Sequence, residues 1–386
     1  MSQTEFRSEG PVQGLTPNVT SSGVVNGHRG TARVRQAAVA IWPLVSLLAL
    51  VGLIVLAVSA FGGLELTSAA ENALISLVLV VGLYIFVGNS GVLSFGSVSF
   101  VAIGAYTAAL LTISSDSKAL SLPNLPHFLA VAHFSTPIAT LIGGGLAGVI
   151  ALIVSIPLMR LNGIAAGIAT LALLSIVQVV AQNWVSLTGG LGTLTGIPNG
   201  LSLAGLMAWV AATLVLAFVY QRSRFGLRLR GTREDEVAAR ALGVRVEMER
   251  RIAWVLSGTI LGVGGALYAQ YLGAFGPDAF YLDLTFLIIA MLVVGGMRSL
   301  AGAVVGTATV FSLTQIFFWW EGGQSVFGVT LPVPSGLGKV IVSLLLLVIL
   351  LFRPDGLTGG LEVGLPSLRP WRRRRETHEH PARVSE

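Results

Sequence analysis

Long apolar stretches separated by short polar connections are the main pattern along this chain. A helix that crosses the hydrocarbon core of a bilayer needs about 20 mostly apolar residues, and most of the stretches approach that length. The pattern predicts an all-α polytopic membrane protein with about ten transmembrane helices, at residues 37–60, 72–87, 98–113, 137–158, 164–182, 201–220, 252–272, 284–297, 301–320 and 336–352. Segment 284–297 is short for a full span and predicts a short span or half-helix.

The composition agrees with this fold class. Of the 386 residues, 54% are hydrophobic and 11% are charged, whereas soluble domains carry about 25% charged residues. The sequence contains no cysteine, which excludes disulfides, thiol chemistry and thiolate metal sites.

Charge is distributed unevenly between the predicted loops. The formal net charge is +6, and the arginines sit in short clusters beside apolar stretches. This pattern is typical of cytoplasmic loops under the positive-inside rule, and it is a better explanation than a nucleic-acid partner. With ten spans, both termini and every arginine fall on the cytoplasmic side. The opposite side holds Lys118 and the acids Glu65, Glu71, Asp116, Asp278, Asp283 and Glu321.

Three regions follow from these spans. Residues 1–36 are polar and predict a disordered cytoplasmic tail, residues 37–357 form the transmembrane domain, and residues 358–386 form a basic cytoplasmic tail. The alternative for the N-terminus is a signal peptide cleaved near Ala60. The charge-free run between Arg35 and Glu65 is longer than the ~7–15 apolar residues of such peptides, so an uncleaved first span is favoured.

Residues 222–251, the charged connector, are the only long charged segment within the apolar chain. Thr232–Asp235 has the form of a capping box, and Gly243 stands where a C′ glycine would end a helix. A slim helix from about Arg233 to Leu242 is predicted, with Glu234, Asp235 and Glu236 in its first turn and Ala238, Ala239 and Ala241 along it. Such a helix suits a groove on another protein; the alternative is an ordinary solvated loop.

A second stretch, Gly88–Ser97, places glycine, serine and asparagine at the predicted membrane depth. Irregular backbone is tolerated there where it is buried in protein or lines a water-filled cavity. The stretch therefore indicates either part of a substrate path or close helix packing through small residues.

A polar stripe on the fifth predicted span is a third candidate. Ser175, Gln178, Gln182 and Ser186 are spaced by three, four and four residues, so they share one helix face if the helix continues to Ser186. Amide side chains offer donors and acceptors to a zwitterion crossing a charge-free region. The alternative is that they join neighbouring helices.

The sequence does not support a catalytic function. The chain has no G-x-x-x-x-G-K-[ST] motif, so it is not an ATPase, and no Ser–His–Asp set or paired carboxylates share one predicted depth. The only close histidine pair, His378 and His380, lies in the C-terminal tail. Neither a catalytic site nor a metal site is expected.

The order of short motifs in the connector resembles the coupling loop of ABC-importer permeases. These motifs are Ser223-Arg224-Phe225-Gly226, Arg233-Glu-Asp-Glu236 and Ala238-Ala239-xxx-Gly243. The nearest resemblance is to the branched-chain amino-acid permease family of the LivM and LivH type, with LivM the nearer. One departure is that Val237 stands where the family pattern has glutamate.

Further motifs extend the resemblance over about residues 69–359. They include Gly91–Gly96 followed by Gly104-Ala-Tyr106, Ile168–Ala172, Leu187–Gly190 with Gly196–Pro198, Val294–Gly296, and Phe352–Leu357. Ser97 stands where many relatives have histidine or glutamine, and Met297-Arg298 interrupts the usual Gly-Gly-x-Gly-Ser.

The resemblance implies roles for two groups of residues and short or broken helices near the substrate path. The residues implied to couple the subunit to an ATPase are Arg224, Gly226, Arg233, Glu234, Asp235, Glu236, Ala238, Ala239 and Gly243. The resemblance places Gly91, Ser94, Phe95, Gly96, Ser97, Tyr106, Thr170, Gly295 and Gly296 in the substrate pathway. The predicted pathway also includes Ser175, Gln178 and Gln182, which come from the spacing of the polar stripe.

The implied protein is a permease subunit of an ATP-driven importer in a bacterial or archaeal cytoplasmic membrane. Its implied partners are two ATP-binding subunits, a second homologous permease and an extracytoplasmic binding protein. ATP and Mg²⁺ belong to the ATPases, and no cofactor is expected in this subunit. Leucine, isoleucine and valine are the expected substrates, with urea, short amides or other amino acids as alternatives. A secondary transporter is less favoured because predicted spans 5 and 6 contain no acid for ion coupling.

Overall fold

The computed structural model describes residues 28–122 and 124–321, together with isolated positions and short pieces between 336 and 359. The chain divides into two compact units, residues 1–41 and 42–386. The described part of the first unit is helical throughout.

The described residues form α-helices joined by short turns, with one 3₁₀-helix and no named strand. Eight of the helices are long and apolar enough to cross a membrane, and α3 is a shorter apolar helix. The helices are α1 His28–Phe61, α2 Leu64–Ser90, α3 Val98–Thr112, α4 Ser115–Ser121, α5 His127–Val131, α6 Thr136–Leu158, α7 Gly163–Asn183, α8 Val185–Thr188, α9 Leu203–Arg222, α10 Arg224–Glu234, α11 Glu236–Ala241, α12 Val246–Leu272, the 3₁₀-helix Pro277–Phe280, α13 Leu282–Gly295 and α14 Leu300–Glu321.

Helices α2, α3 and α12 form the centre of the second unit. Every residue of α2 from Leu74 to Ser90 is buried, as expected for a helix that is apolar on all sides. α12 packs against α2, α3 and α6, while α9 and α14 pack against other faces of α2. Helix α7 touches α3, α6 and the 3₁₀-helix, and much of its surface is exposed.

Glycines allow α3, α6 and α12 to approach closely. A β-carbon at Gly104 would lie 2.0 Å from the carbonyl oxygen of Gly262, and one at Gly262 would lie 2.4 Å from the β-carbon of Ala147. Larger side chains at either glycine would force the helices apart. Small residues serve the same purpose in membrane helix pairs, where apolar lipid leaves van der Waals packing to drive association.

The helix bundle has two chemically different ends. At the basic end, Arg233 bonds to Gly88 and Arg250 bonds to Asn162, so the connector meets the end of α2 and the start of α7. At the opposite end, an antiparallel bridge between Leu194 and Phe275 joins the turns that follow α7 and α12. This separation agrees with the alternation of arginine-rich and acid-bearing loops along the sequence.

The first nine predicted spans coincide with described helices except at several ends. Glu65 and Glu71 lie within α2 rather than in a loop, and α12 begins at Val246, so its first turns belong to the predicted connector. α1 begins at His28, within the predicted tail, and the loop after α3 contains α4 and α5. Both α2 and α12 have 27 residues, about 40 Å of helix, which passes beyond a hydrocarbon core of about 30 Å and lets charged turns remain helical.

Several predicted segments fall outside the described residues. Most of the tenth span, 336–352, lies there, as do residues 1–27 and the tail beyond 359. Thr358, assigned to the tail, bonds to the carbonyl oxygen of Gly295 at 2.8 Å and packs on the transmembrane unit.

The two-ended arrangement predicts opposite labelling at its ends. Single cysteines at Ser115 and Ala241, both exposed, introduce the only thiols into a cysteine-free sequence. An impermeant thiol reagent added outside intact cells should label the cysteine at 115 and spare the one at 241, because arginine-rich loops stay in the cytoplasm. Permeabilised cells serve as the control, since both positions should then react. Labelling of 241 in intact cells would contradict the topology.

Candidate functional site

The charged connector folds as two short helices instead of the single one predicted. Asp235, with φ −151° and ψ 107°, interrupts the helical backbone between α10 and α11. Its carboxylate accepts a hydrogen bond from the amide of Ala238 at 2.9 Å, so Asp235, not Thr232, is the N-cap of the second helix. The Thr232 hydroxyl donates to the Leu229 carbonyl inside α10, and Glu234 ends α10.

Gly243 ends α11 in the predicted manner. Its φ is +81°, a conformation that glycine adopts at low cost. Its amide donates to the Arg240 carbonyl at 2.9 Å and the Val244 amide donates to the Ala239 carbonyl at 3.1 Å. These two bonds form a Schellman motif, which satisfies the last carbonyls of the helix.

The first connector helix, α10, is anchored to the end of α2 by two arginines. Arg230 donates to Asn89 at 2.8 Å, to the Gln221 side chain at 2.9 Å and to the Tyr84 hydroxyl at 3.1 Å. Arg233 donates to the Gly88 carbonyl at 2.6 Å. Charge-assisted hydrogen bonds of this kind are stronger than neutral ones, so α10 is tied to the central helix of the bundle.

Arg233 also lies close to another cation. Burial lowers the pKa of its guanidinium, and the charge of Arg298 lowers it further. Arginine nonetheless stays protonated in proteins. The site therefore brings the connector, the end of α2 and the turn between α13 and α14 to one place.

An ion-pair network holds α11 to α12 and to the start of α7. Glu236 pairs with Arg240 at 2.6 Å and with Arg250 at 2.9 Å, and buried Arg250 also bonds to Asn162. Desolvation raises the pKa of Glu236, but the hydrogen bonds and charges of the two arginines outweigh it and leave that pKa below its ordinary value. The stabilisation from this ionised carboxylate is complete above the ordinary carboxyl pKa and is lost as pH falls through the lowered value.

The connector presents apolar side chains outward. Val237 is 78% exposed and Leu242 is 85% exposed, and Leu227 on α10 is also exposed. We call Leu227, Val237 and Leu242 the connector surface. Ala239 faces the opposite way and is buried, and Gly226 packs tightly because a β-carbon there would lie 2.3 Å from the Tyr220 carbonyl oxygen. Arg224 and Ala238 are exposed.

The glycine-serine stretch becomes irregular after α2 ends at Ser90, and it packs on α7. The amide of Phe95 donates to the Thr170 hydroxyl at 3.2 Å. A β-carbon at Gly96 would lie 2.1 Å from the Thr170 carbonyl oxygen. Ser97 donates to Ser94 at 2.8 Å, and both are buried. The structure thus brings Phe95 and Gly96 against Thr170. The role of these residues in a substrate path stays a prediction.

The predicted polar stripe is only partly continuous. Helix α7 ends at Asn183, so Ser186 belongs to α8 and the condition for a four-residue stripe is not met. Ser175 donates to the Leu171 carbonyl of its own helix. Gln178 and Gln182, however, both donate to the same carboxylate oxygen of Asp278, at 2.8 and 3.4 Å.

Asp278 is the residue that sequence reasoning missed. It lies in the first turn of the 3₁₀-helix, which packs against both α3 and α7. In the sequence, Asp278 stands only as an acid in a predicted loop. The glutamines that contact it are about a hundred positions away, so no local pattern connects them to it. Asp278 therefore places an acid beside α7, although predicted spans 5 and 6 themselves contain none.

An aromatic cluster lies next to Asp278. The ring of Tyr106 lies 5.0 Å from that of Phe275 and 6.3 Å from that of Phe280, centroid to centroid. Asp278 and Phe280 belong to the same 3₁₀-helix, which packs against α3 and so against Tyr106. The buried Tyr106 hydroxyl has no hydrogen-bond partner among the described residues.

Gly295 and Gly296 lie at the basic-end terminus of α13. A β-carbon at Gly295 would lie 1.9 Å from the Gly302 carbonyl oxygen, and the amide of Leu357 donates to the neighbouring Val294 carbonyl at 2.8 Å. These contacts make the pair a tight packing point between α13, α14 and residues 355–359. Its role in a substrate path stays a prediction.

A cavity of about 530 Å³ opens between α2, α12, α13 and α14. Its lining includes a polar row on one face of α2 that sequence reasoning also missed, Glu65, Ser68, Asn72 and Ser76. Tyr268, Tyr271, Thr314 and Gln315 face this row. The predicted spans divide this row between the loop before residue 72 and the span 72–87, whereas α2 carries all four residues on one helix.

These features define a class: a polytopic helical membrane protein with a charged internal segment anchored to its core, typical of a transport permease. The model of the family described as "Branched-chain amino acid transport system / permease component" matches residues 66–351. The chain belongs to this family. No solved structure is significantly similar to the chain.

Individual relatives differ in their named substrates. The chain is 28% identical to the high-affinity branched-chain amino acid permease protein LivM of Escherichia coli K12, over 60% of this chain and 58% of LivM. It is 25% identical to the probable branched-chain amino acid permease LivH of Methanocaldococcus jannaschii, over 73% of this chain and 88% of LivH. It is 30% identical to the autoinducer 2 import permease LsrC of Salmonella typhi, over 72% of this chain and 84% of LsrC.

The anchor of α10 predicts a stability difference between two arginine variants. Arg230→Ala should lower the unfolding free energy by about 1–3 kcal/mol, because buried Asn89 and Gln221 lose a charged donor. Arg245→Ala, at an exposed position of the same connector, should stay within about 0.5 kcal/mol of the parent. Thermal unfolding in detergent measures both. Equal stability of the two variants would show that Arg230 is not an anchor.

Proposed function

We propose that this chain is a transmembrane permease subunit of an ATP-binding-cassette importer in a bacterial or archaeal cytoplasmic membrane. Its basic end and both termini face the cytoplasm. The subunit binds no nucleotide itself, and two ATP-binding subunits with their ATP and Mg²⁺ supply the energy.

The observation that carries this proposal is the architecture of the connector. α10 and α11 are capped at both ends, tied to α2 by Arg230 and Arg233, and tied to α12 by Arg250. They nevertheless leave Val237 and Leu242 exposed. A rigid segment with an uncovered apolar surface, fixed to the helix core, is built to receive force from a docked partner rather than to act as a solvated link.

The remaining partners follow from the family. A second homologous permease would cover an apolar helix face, and α6 and α7 both offer one through Leu141, Ile153, Ile168 and Ile176, all exposed. An extracytoplasmic binding protein would deliver the substrate to the end that carries the 3₁₀-helix. No nucleic-acid partner is proposed.

Branched-chain amino acids are the proposed substrates. Two relatives, LivM and LivH, carry that description, whereas LsrC is named for autoinducer 2. The proposed path uses residues 91–97, Thr170 and the glutamines of α7. Their hydroxyl and amide groups provide neutral donors and acceptors for a zwitterion. Without such partners, each unpaired polar group of the zwitterion would cost several kcal/mol of free energy in an apolar medium.

The docking role predicts a loss of coupling when the connector surface is made charged. Leu242→Asp should sharply reduce binding-protein-stimulated ATP hydrolysis and transport, because a carboxylate replaces an apolar contact that docking would desolvate. The measurements are ATPase activity and co-purification of the ATP-binding subunits with the permease.

The matched control is Leu191→Asp, which changes a 78% exposed leucine at the opposite end of the bundle. It should leave co-purification unchanged. If Leu242→Asp retained its ATPases and transported normally, the connector would be a plain loop.

The path role predicts a separation of transport from assembly. Gln178→Leu should abolish or alter uptake while assembly and basal ATP hydrolysis persist, since the substrate loses a hydrogen-bonding partner. If Gln178 only joins α7 to the 3₁₀-helix, stability, ATPase activity and transport should fall together. Uptake into proteoliposomes and thermal unfolding of the purified complex distinguish the two outcomes.

A further inference from the structure

The carboxylate of Asp278 occupies an unusual electrostatic position. The ion pairs between described residues all lie at the basic end, within the connector and the start of α12. Asp278 lies at the opposite end and has no cationic partner among the described residues. Lys118, the lysine at that end among the described residues, is committed elsewhere, because its ammonium donates to the carbonyls of Leu129 and Ala132 at 3.0 and 2.5 Å.

The surroundings of Asp278 hold its side chain in one orientation without neutralising its charge. Gln178 and Gln182 both donate to Oδ1, and Oδ2 accepts no hydrogen bond from a described residue. Pro277 and Phe280, on either side of it in the 3₁₀-helix, are buried, while Asp278 itself is exposed. A fixed carboxylate whose second oxygen accepts from no described residue is ready to accept hydrogen bonds from an arriving cation.

The neighbouring aromatic cluster supplies one further polar group, the Tyr106 hydroxyl. The hydroxyl of Tyr106 is more than nine-tenths buried and lacks a partner among the described residues. Such a group normally finds a partner, so its position beside Asp278 leaves a polar place for a ligand atom.

We propose that Asp278, oriented by Gln178 and Gln182 and flanked by Tyr106, binds the ammonium group of the transported ligand at the entrance of the permease. This inference rests on the proposed importer function and restricts its substrate class: the ligand carries a primary ammonium group, as α-amino acids do. Neutral ligands of the urea, amide or sugar-like kind lack the charge that this site recognises.

The test compares two acids that receive the same substitution. Asp278→Asn keeps the shape of the side chain and an oxygen that accepts from the glutamines, but it removes the charge. Asp283→Asn is the matched control, because Asp283 is also exposed, five positions further along the same end. The assay is uptake of radiolabelled L-leucine into proteoliposomes that contain the complete importer and its binding protein.

The expected result is that Asp278→Asn lowers L-leucine uptake by about tenfold, equivalent to losing one charge-assisted contact of about 1.4 kcal/mol. Stimulation of ATP hydrolysis by the ligand-free binding protein should stay unchanged. Asp278→Glu, which restores the charge on a longer side chain, should recover part of the uptake, and Asp283→Asn should match the parent.

Three results would overturn the proposal. Uptake by Asp278→Asn equal to that of the parent shows that the charge is not used. Parallel loss of ATPase stimulation shows that Asp278 instead contacts a cation of the binding protein. ATP-driven uptake by the parent of a neutral ligand, but not of L-leucine, refutes the ammonium site while leaving the importer function intact. Absence of any ATP-dependent uptake by the parent would instead refute the importer function itself.

Discussion

Two arginine side chains that leave the connector and bond to the end of α2 are the interaction on which the rest of this structure depends. The last carbonyls of a helix have no partner within it, and at the end of a buried helix they need donors from elsewhere. Arg233 supplies one to Gly88, while Arg230 satisfies the Asn89 side chain and Gln221 of α9. Because α2 packs against α9, α12, α13 and α14, the connector is fixed to most of the bundle through one helix end.

A second set of contacts continues from that helix end to the opposite side of the bundle. Residues 91–97 follow α2 directly and bond to α7 at Thr170. Further along α7, Gln178 and Gln182 bond to Asp278. Polar contacts therefore run from the connector to the far end of the bundle along α2, the irregular stretch and α7. These contiguous contacts form a physical route between the connector and the far end of the bundle, along which the two ends can be coupled.

Most of the helices and the existence of the connector could be predicted because their signals are local. An apolar stretch of bilayer length becomes a helix whatever it packs against, as α6 and α7 show within one residue of their predicted bounds. The errors arose where a local signal was ambiguous. Thr232 and Asp235 are both capping residues in sequence, and only the folded connector shows that Thr232 bonds inside α10 while Asp235 caps α11. Glu65 and Glu71 were assigned to a loop because charge suggests a helix end, yet α2 simply extends past the apolar core.

The sequence by itself determined the membrane class, the order of the spans, the arginine-rich end and the glycine that ends α11, since each depends on residues near one another in the chain. Only the tertiary structure decided which polar groups meet. Arg230 with Asn89, and Asp278 with Gln178, are separated by 141 and 100 positions. A hydrogen bond requires its two atoms to lie within about 3 Å, and helix packing alone sets that distance for residues so far apart in the chain.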